Sequence, residues 1–278
     1  MDDWRIPYEL WLRIAPLIPP PKKRHRFGGG RPRVADYQVM NGIFFVLRTG
    51  CQWKALDATG ICLGSMAHDR FQEWRRAGLF ERLWALGLKQ YDTAKGIDWS
   101  WLAMGGATTK APPRRDKKSG RNPTDRGKQG VKRSLLTEAA GMPLGIAVAG
   151  ANRHDVTLVE ATVASIPIER PAAEEEHPQG MRMDKAYDSD PVRTFLAELG
   201  FTPHIRSRGE EAKDISENGI KARRWVVERT HSWLNRFRRL LIRWEKKSEN
   251  YLAMLHLAFA IICFRSAGLF GYSKPPMG

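Results

Sequence analysis

From Tyr8 to Tyr91 apolar residues return every three or four positions, and the chain reads as a series of helices. Leu10, Ile14, Leu17 and Ile18 share one face of the first, which Pro19-Pro20-Pro21 ends. Asp36 stands where an N-cap belongs, ahead of Val39, Ile43, Phe44, Val46 and Leu47 at helical spacing. Ser65–Arg76 and Leu79–Tyr91 continue the pattern, and no period-two alternation interrupts it.

From Gly96 the period changes. Ile97-Asp98-Trp99-Ser100-Trp101 alternates apolar with polar residues and predicts a strand. Residues 105–130 are broken by glycine and proline and read as a loop. Lys132–Thr137 and Leu144–Ala149 flank the turn Ala140-Gly141-Met142-Pro143 and predict a hairpin. A helix over Val156–Ser165 leads to an acidic, proline-rich loop, Pro171–Gly180, and a short strand, Met181–Met183. Ser189-Asp190-Pro191 opens a helix that Gly200 stops, and Thr202–Ile205 is again strand-like. Two helices, Ala222–Trp244 and Glu249–Ser266, close the chain; in the first, Val226, Trp233, Phe237, Leu240, Leu241 and Trp244 form an apolar core stripe. The order predicts an all-α module over residues 1–91 and a mixed-sheet α/β domain of nuclease type over 92–278.

Charge then narrows the partner. Lysine and arginine number 46 against 30 acids, a formal charge of +16, which points to a polyanion. A membrane fits less well than nucleic acid. The most apolar run, Tyr251–Phe264, is 14 residues long and contains His256, short of the roughly 20 residues that span a bilayer. The N-terminus has no apolar signal segment, so the chain reads as cytoplasmic. Cys51, Cys62 and Cys263 form no CxxC pair and have no histidines at zinc spacing, so neither a structural zinc site nor a disulfide framework is expected. The cations cluster: Lys22, Lys23, Arg24, Arg26, Arg31 and Arg33 form one acid-free arm. Arg114, Arg115, Lys117, Lys118, Arg121, Arg126, Lys128 and Lys132 form most of a second. Both arms read as phosphate contacts.

Within such a chain, isolated acids on apolar scaffolding are the informative ones, because phosphodiester chemistry uses hard cations held by carboxylates. Asp98, flanked by Ile97 and Trp99, is either such a ligand or a charge on an exposed strand face. Asp184 ends the strand Met181–Met183, where α/β active sites often place residues; it could also be a turn aspartate, although Asp188, Ser189 and Asp190 are better placed to cap the next helix. Glu228 shares a helix stripe with Arg224, His231, Asn235 and Arg239, and is either a metal ligand among DNA-binding side chains or a surface partner of Arg224. His154 and Asp155 face the site or serve as a loop histidine and an N-cap. Tyr187 stacks on a base or packs in the core.

Four long stretches carry a resemblance: RPRVADYQVMNGIFFVLRTGCQW (31–53), GRNPTDRGKQGVKRSLLTEAAGMPLGIAVAGANRHD (120–155), MDKAYDS (183–189) and RWVVERTHSWLNRFRRLLIRWEKK (224–247). Through them the chain resembles, nearly end to end, transposases of the insertion-sequence-five group, DDE enzymes with an RNase H-like core. The resemblance implies that Asp98, Asp184 and Glu228 are the catalytic, metal-binding triad, with two Mg²⁺ per site and Mn²⁺ as a substitute. It also implies a helical domain that reads terminal inverted repeats, cleavage of double-stranded DNA at the element's ends, and joining of the 3′-hydroxyl to target DNA. A homodimer on bacterial DNA is expected, and no small-molecule substrate. The family's pattern around the glutamate has a tyrosine where Lys221 stands and a lysine where Asn235 stands. Arg224, His231 or Arg239 then share the grip on the DNA end.

Overall fold

The computed structural model describes residues 5–20, 33–112, 118–205 and 225–270. Its N-terminal part is helical: α1 (Tyr8–Ile14), α2 (Asp36–Thr49), α3 (Gly64–Arg76) and α4 (Leu79–Lys95), with 3₁₀ turns at Ala15–Leu17 and Trp53–Ala58. Asp36 is the first residue of α2 and not its cap; the N-cap is Ala35, and the Asp36 carboxylate pairs with Arg70 of α3. A nearby guanidinium on a packed helix competes successfully with a local capping bond.

Among the described residues the sheet has six strands: β1 (Trp101–Lys110), β2 (Gly120–Arg121), β3 (Gln129–Glu138), β4 (Pro143–Gly150), β5 (Gln179–Met183) and β6 (Phe201–Ile205). Their order is β4-β3-β1-β5-β6, with the short β2 also pairing β3. The β1–β3 and β3–β4 pairs are antiparallel; β1–β5 and β5–β6 are parallel. A 3₁₀ turn, Asp155–Leu158, and α5 (Val159–Val163) lie between β4 and β5, and α6 (Asp190–Glu198) joins β5 to β6. Three antiparallel strands followed by two parallel ones joined through a helix is the RNase H-like arrangement.

Two expectations shift. The strand read at 97–101 begins only at Trp101, and Ile97–Ser100 is a turn. β1 instead runs through Gly105 and Gly106 to Lys110, because β3 pairs its whole length and β5 its first part. Tertiary pairing there outweighs the glycines' poor strand preference. The long helix read over 222–244 is α7 (Trp225–Asn235), a 3₁₀ turn Arg238–Leu240, and then a turn carrying an isolated bridge at Ile242. Arg243 N donates to Lys110 O at 2.9 Å and Ile242 bridges Lys110, so sheet hydrogen bonds draw the chain off the helix. Trp244, expected in the core stripe, is consequently 49% exposed.

The last helix, α8 (Ser248–Ser266), is apolar on nearly every side because it is covered on nearly every side. It packs against α4, where Trp84 stacks on His256 and donates its indole N–H to Pro143 O of β4 at 2.9 Å. Its buried Leu, Ile and Phe side chains each contribute about 1.5–3 kcal/mol. No helix among the described residues is long and apolar enough to cross a membrane. Architecture changes between α4 and β1, but one hydrophobic cluster runs across that change, from Ile6 through the sheet to Phe270.

Candidate active site

β5 stops at Met183 while its neighbour β1 continues to Lys110, so β1 has an open edge beyond that point. A cleft of about 250 Å³ lies there, lined among others by Gly105, Asp155, Asp184, Tyr187, Glu228 and His231. Asp184 is the residue after β5 and caps the 3₁₀ turn Lys185–Tyr187, its Oδ1 accepting from Lys185 N at 2.6 Å. Asp184 thus caps a separate 3₁₀ turn, while the N-cap of α6 is Ser189, within the expected Asp188–Asp190 set, though without a side-chain cap bond. Glu228 lies in the first turn of α7. Both carboxylates are exposed, and α7 lies against β1 and β3 so that Val227 meets Gly105.

Asp98 is not brought to this cleft. It sits in the turn before β1, where its Oδ1 accepts from Ser100 N at 3.0 Å and from Ser100 Oγ at 2.5 Å. It lines a different cavity, with Trp101, His177, Gln179 and His204, at the N-terminal end of β5. Trp101 is level with Gly180 on β5, and Asp184 lies four residues further along. At roughly 3.3 Å per residue that is about 13 Å along the strands. Carrying the β1–β5 register on from Ala103↔Arg182 makes Gly105 the β1 residue level with Asp184. The misplacement follows from the strand boundary: alternation at 97–101 marks a turn leading into the strand, not the strand.

Asp155, left open between two roles, does line the cleft. Its Oδ2 is 2.8 Å from Lys132 Nζ, and its Oδ1 is buried with no hydrogen-bond partner among the described residues. His154 is exposed at the cap of the same turn. Tyr187 is buried, which settles its packing role, and burial pushes its phenol above the usual range.

Several side chains expected on DNA have partners within the protein. His231 is buried at 8% exposure; burial first, and the neighbouring Arg133 guanidinium second, lower its pKa to about 3, so it is neutral at pH 7 and brings no charge to a phosphate. Arg239 is buried, with Nε 2.7 Å from Glu245 Oε1 and Nη1 donating to Cys51 O at 3.0 Å. Lys132 is held by Asp155, and Arg33 by Glu73 at 2.9 Å. Asn235 is exposed and accepts from Arg133 at 3.3 Å. Helical spacing puts residues on a common stripe, but packing decides which of them meets solvent. Lys118, Arg121, Arg126 and Lys128 are exposed around β2, with Lys128 3.4 Å from Asp125. Lys22, Lys23, Arg24, Arg26, Arg31, Arg114, Arg115, Lys117 and Arg224 lie outside the described residues.

Residues 97–263 match the family model described as "Transposase DDE domain", and residues 6–84 match one described as "Putative transposase of IS4/5 family". A protein of Burkholderia cepacia, "Putative transposase for insertion sequence element IS402", is 38% identical over 151 residues, 54% of this chain and 70% of that protein. "Insertion element IS402 uncharacterized 16.2 kDa protein", also from Burkholderia cepacia, is 38% identical over 104 residues, 37% of this chain and 71% of that protein. Among solved structures, a pre-cleavage Mos1 transpososome aligns with a TM-score of 0.29 and 11% identity, over 94% of this chain and 86% of that one. The Mos1 mariner paired end complex with Mn aligns at 0.30 and 12%, over 89% and 82%. Such scores add nothing to the strand order, which rests on the pairing itself.

Proposed function

Because this chain belongs to the DDE-domain transposases of the IS4/5 family, we propose that it binds the terminal inverted repeats of an insertion sequence as at least a dimer. At those ends water frees a 3′-hydroxyl, and the hydroxyl attacks target DNA in line. The observation that carries this reading is the meeting of Asp184 and Glu228, from separate elements, in one cleft on the open edge of β1. The charge of +16 supports a DNA partner through its phosphates, with the N-terminal helices reading the repeats.

The donors fit one hard cation. Mg²⁺ commonly takes one or two carboxylates together with water and phosphate oxygens, which Asp184, Glu228 and a DNA end would supply, and Mn²⁺ would substitute. When bound, the ion neutralises charge developing on the phosphate oxygens and makes bound water more acidic. A pair of ions is not provided for. Gly105 brings no carboxylate from β1, Asp98 precedes Trp101, whose own level is about 13 Å short of Asp184 along the strands, and Asp155 is tied to Lys132. Among the described residues no three histidine, cysteine or acidic side chains form a group that could hold an ion. Gly105 therefore favours a second reading, in which this copy binds element ends without completing strand transfer.

The test is a labelled duplex carrying the element's own terminal repeat, with the wild type beside Asp184→Asn and Glu228→Gln. Preferential binding by all three, with cleaved and joined products from the wild type alone, supports the transposase reading and assigns both carboxylates. Binding without products from any of them supports the second reading. No preference for the repeat over a scrambled duplex removes both.

A further inference from the structure

We infer that Gly105 is the position that withholds a third carboxylate from the cleft, and that aspartate there would complete a metal site with Asp184 and Glu228. The inference rests on reading this cleft as the phosphoryl-transfer site. Direction is the first argument. A Cβ built on Gly105 points at Val227, 3.1 Å from its Cγ1, and the next residue of α7 is Glu228. A Cβ on Gly106 points away from that helix and would meet Asp155 Oδ1 at 2.2 Å. Of the two glycines, only position 105 aims a side chain toward the Glu228 helix while level with Asp184.

Backbone conformation is the second argument. Gly105 is not among the glycines with positive φ, and it lies within a strand paired to β3 through Ser134 and Leu135. Nothing in the local chain geometry requires glycine, which weakens a strand interior. Among the described residues, the three nearest atoms to a Cβ at 105, chain neighbours aside, at 3.1, 3.6 and 4.0 Å, all belong to the Val227 side chain. An aspartate therefore needs a shift of a few tenths of an ångström, or a smaller residue at 227. Asp155 does not substitute, since it lies toward the Gly106 side and its Oδ2 is bound to Lys132.

The experiment uses the full chain with two readouts: Mn²⁺ affinity and stoichiometry from the free-ion electron paramagnetic resonance signal, and Mg²⁺-dependent nicking of the terminal-repeat duplex. The variants are Gly105→Asp, Gly105→Asp with Val227→Ala to relieve the 3.1 Å contact, Gly105→Asn, Asp98→Asn and Asp184→Asn. The aspartate variants should bind Mn²⁺ at least about tenfold more tightly, a difference of about 1.4 kcal/mol, and raise nicking above the wild type. Gly105→Asn should do neither, and Asp98→Asn should leave wild-type Mn²⁺ binding unchanged. The inference is overturned if Asp98→Asn weakens Mn²⁺ binding as Asp184→Asn does, or if a folded Gly105→Asp/Val227→Ala protein binds Mn²⁺ no better than the wild type. Where neither aspartate variant folds, the Asp98→Asn titration decides alone. Tighter Mn²⁺ binding in protein with no preference for the repeat duplex upholds the site and refutes the DNA-end reading.

Discussion

Arg239→Ala separates a structural role from a DNA-contact role, because the two predict changes in different measurements. Arg239 is 7% exposed; its guanidinium pairs with Glu245 at 2.7 Å, donates to Cys51 O at 3.0 Å, and ties the chain after α7 to the end of α2. Glu245 is itself 6% exposed, its Oε2 has no hydrogen-bond partner among the described residues, and its Oε1 pairs with Arg239. Removing one member of a buried pair typically costs about 3–5 kcal/mol, because the other charge stays buried. Unfolding entropy near 2.1 cal/mol/K per residue converts that cost to a drop in Tm of about 5–9 °C for a chain of this length. Replacing both residues by methionine should recover most of the loss, since an apolar pair of similar volume leaves no stranded charge. The assays are thermal and urea unfolding of the wild type, both single variants and the double variant, with DNA affinity measured across salt concentrations. A folded Arg239→Ala protein with unchanged Tm and a DNA salt slope reduced by about one would refute the buried-pair account and return Arg239 to the DNA surface.

His231 makes the fold acid-sensitive. Its folded pKa of about 3 lies below the unfolded value of 6.5, so its neutral form stabilises the fold above pH 6.5, and that stability is lost as pH falls toward 3. At pH 5 the loss is about 2 kcal/mol, and the difference in urea stability between pH 7.5 and pH 5 should shrink by that amount in His231→Leu. Equal pH dependence in both proteins would show that His231 titrates normally. At Gly64 the expectation runs against helix preference. Alanine should raise helix stability, but its Cβ would come within 1.8 Å of Trp53 O. Gly64→Ala should therefore lower stability by about 1–3 kcal/mol, and a rise in Tm would contradict the close approach.

The helix periods, the hairpin, the apolar last helix and the two acids at Asp184 and Glu228 were all legible in the chain, because each is a local signal. A buried helix shows its burial in composition, and a strand followed by Asp184 shows its end in the change of pattern. The errors share a cause. At 97–101 alternation belonged to a turn, and at 105–106 two glycines hid a strand, because β1 is defined by partners 20–36 and 79 residues further along the chain. His231 and Arg239 share a helical stripe with Glu228 by spacing, yet His231 is buried within α7 itself, and Arg239 is buried in the turn after the chain leaves that helix.

Composition and periodicity by themselves established a basic, mixed α/β chain with helices at its N-terminal end and carboxylates on apolar scaffolding. Only the fold decided which carboxylates share a cleft. Strand pairing sets position along the sheet to within one residue, about 3.3 Å, whereas metal ligation tolerates tenths of an ångström. Three acids in the right order along a chain therefore do not make a metal site until the register of β1 against β5 is known, and that register sets Gly105, not Asp98, beside Asp184.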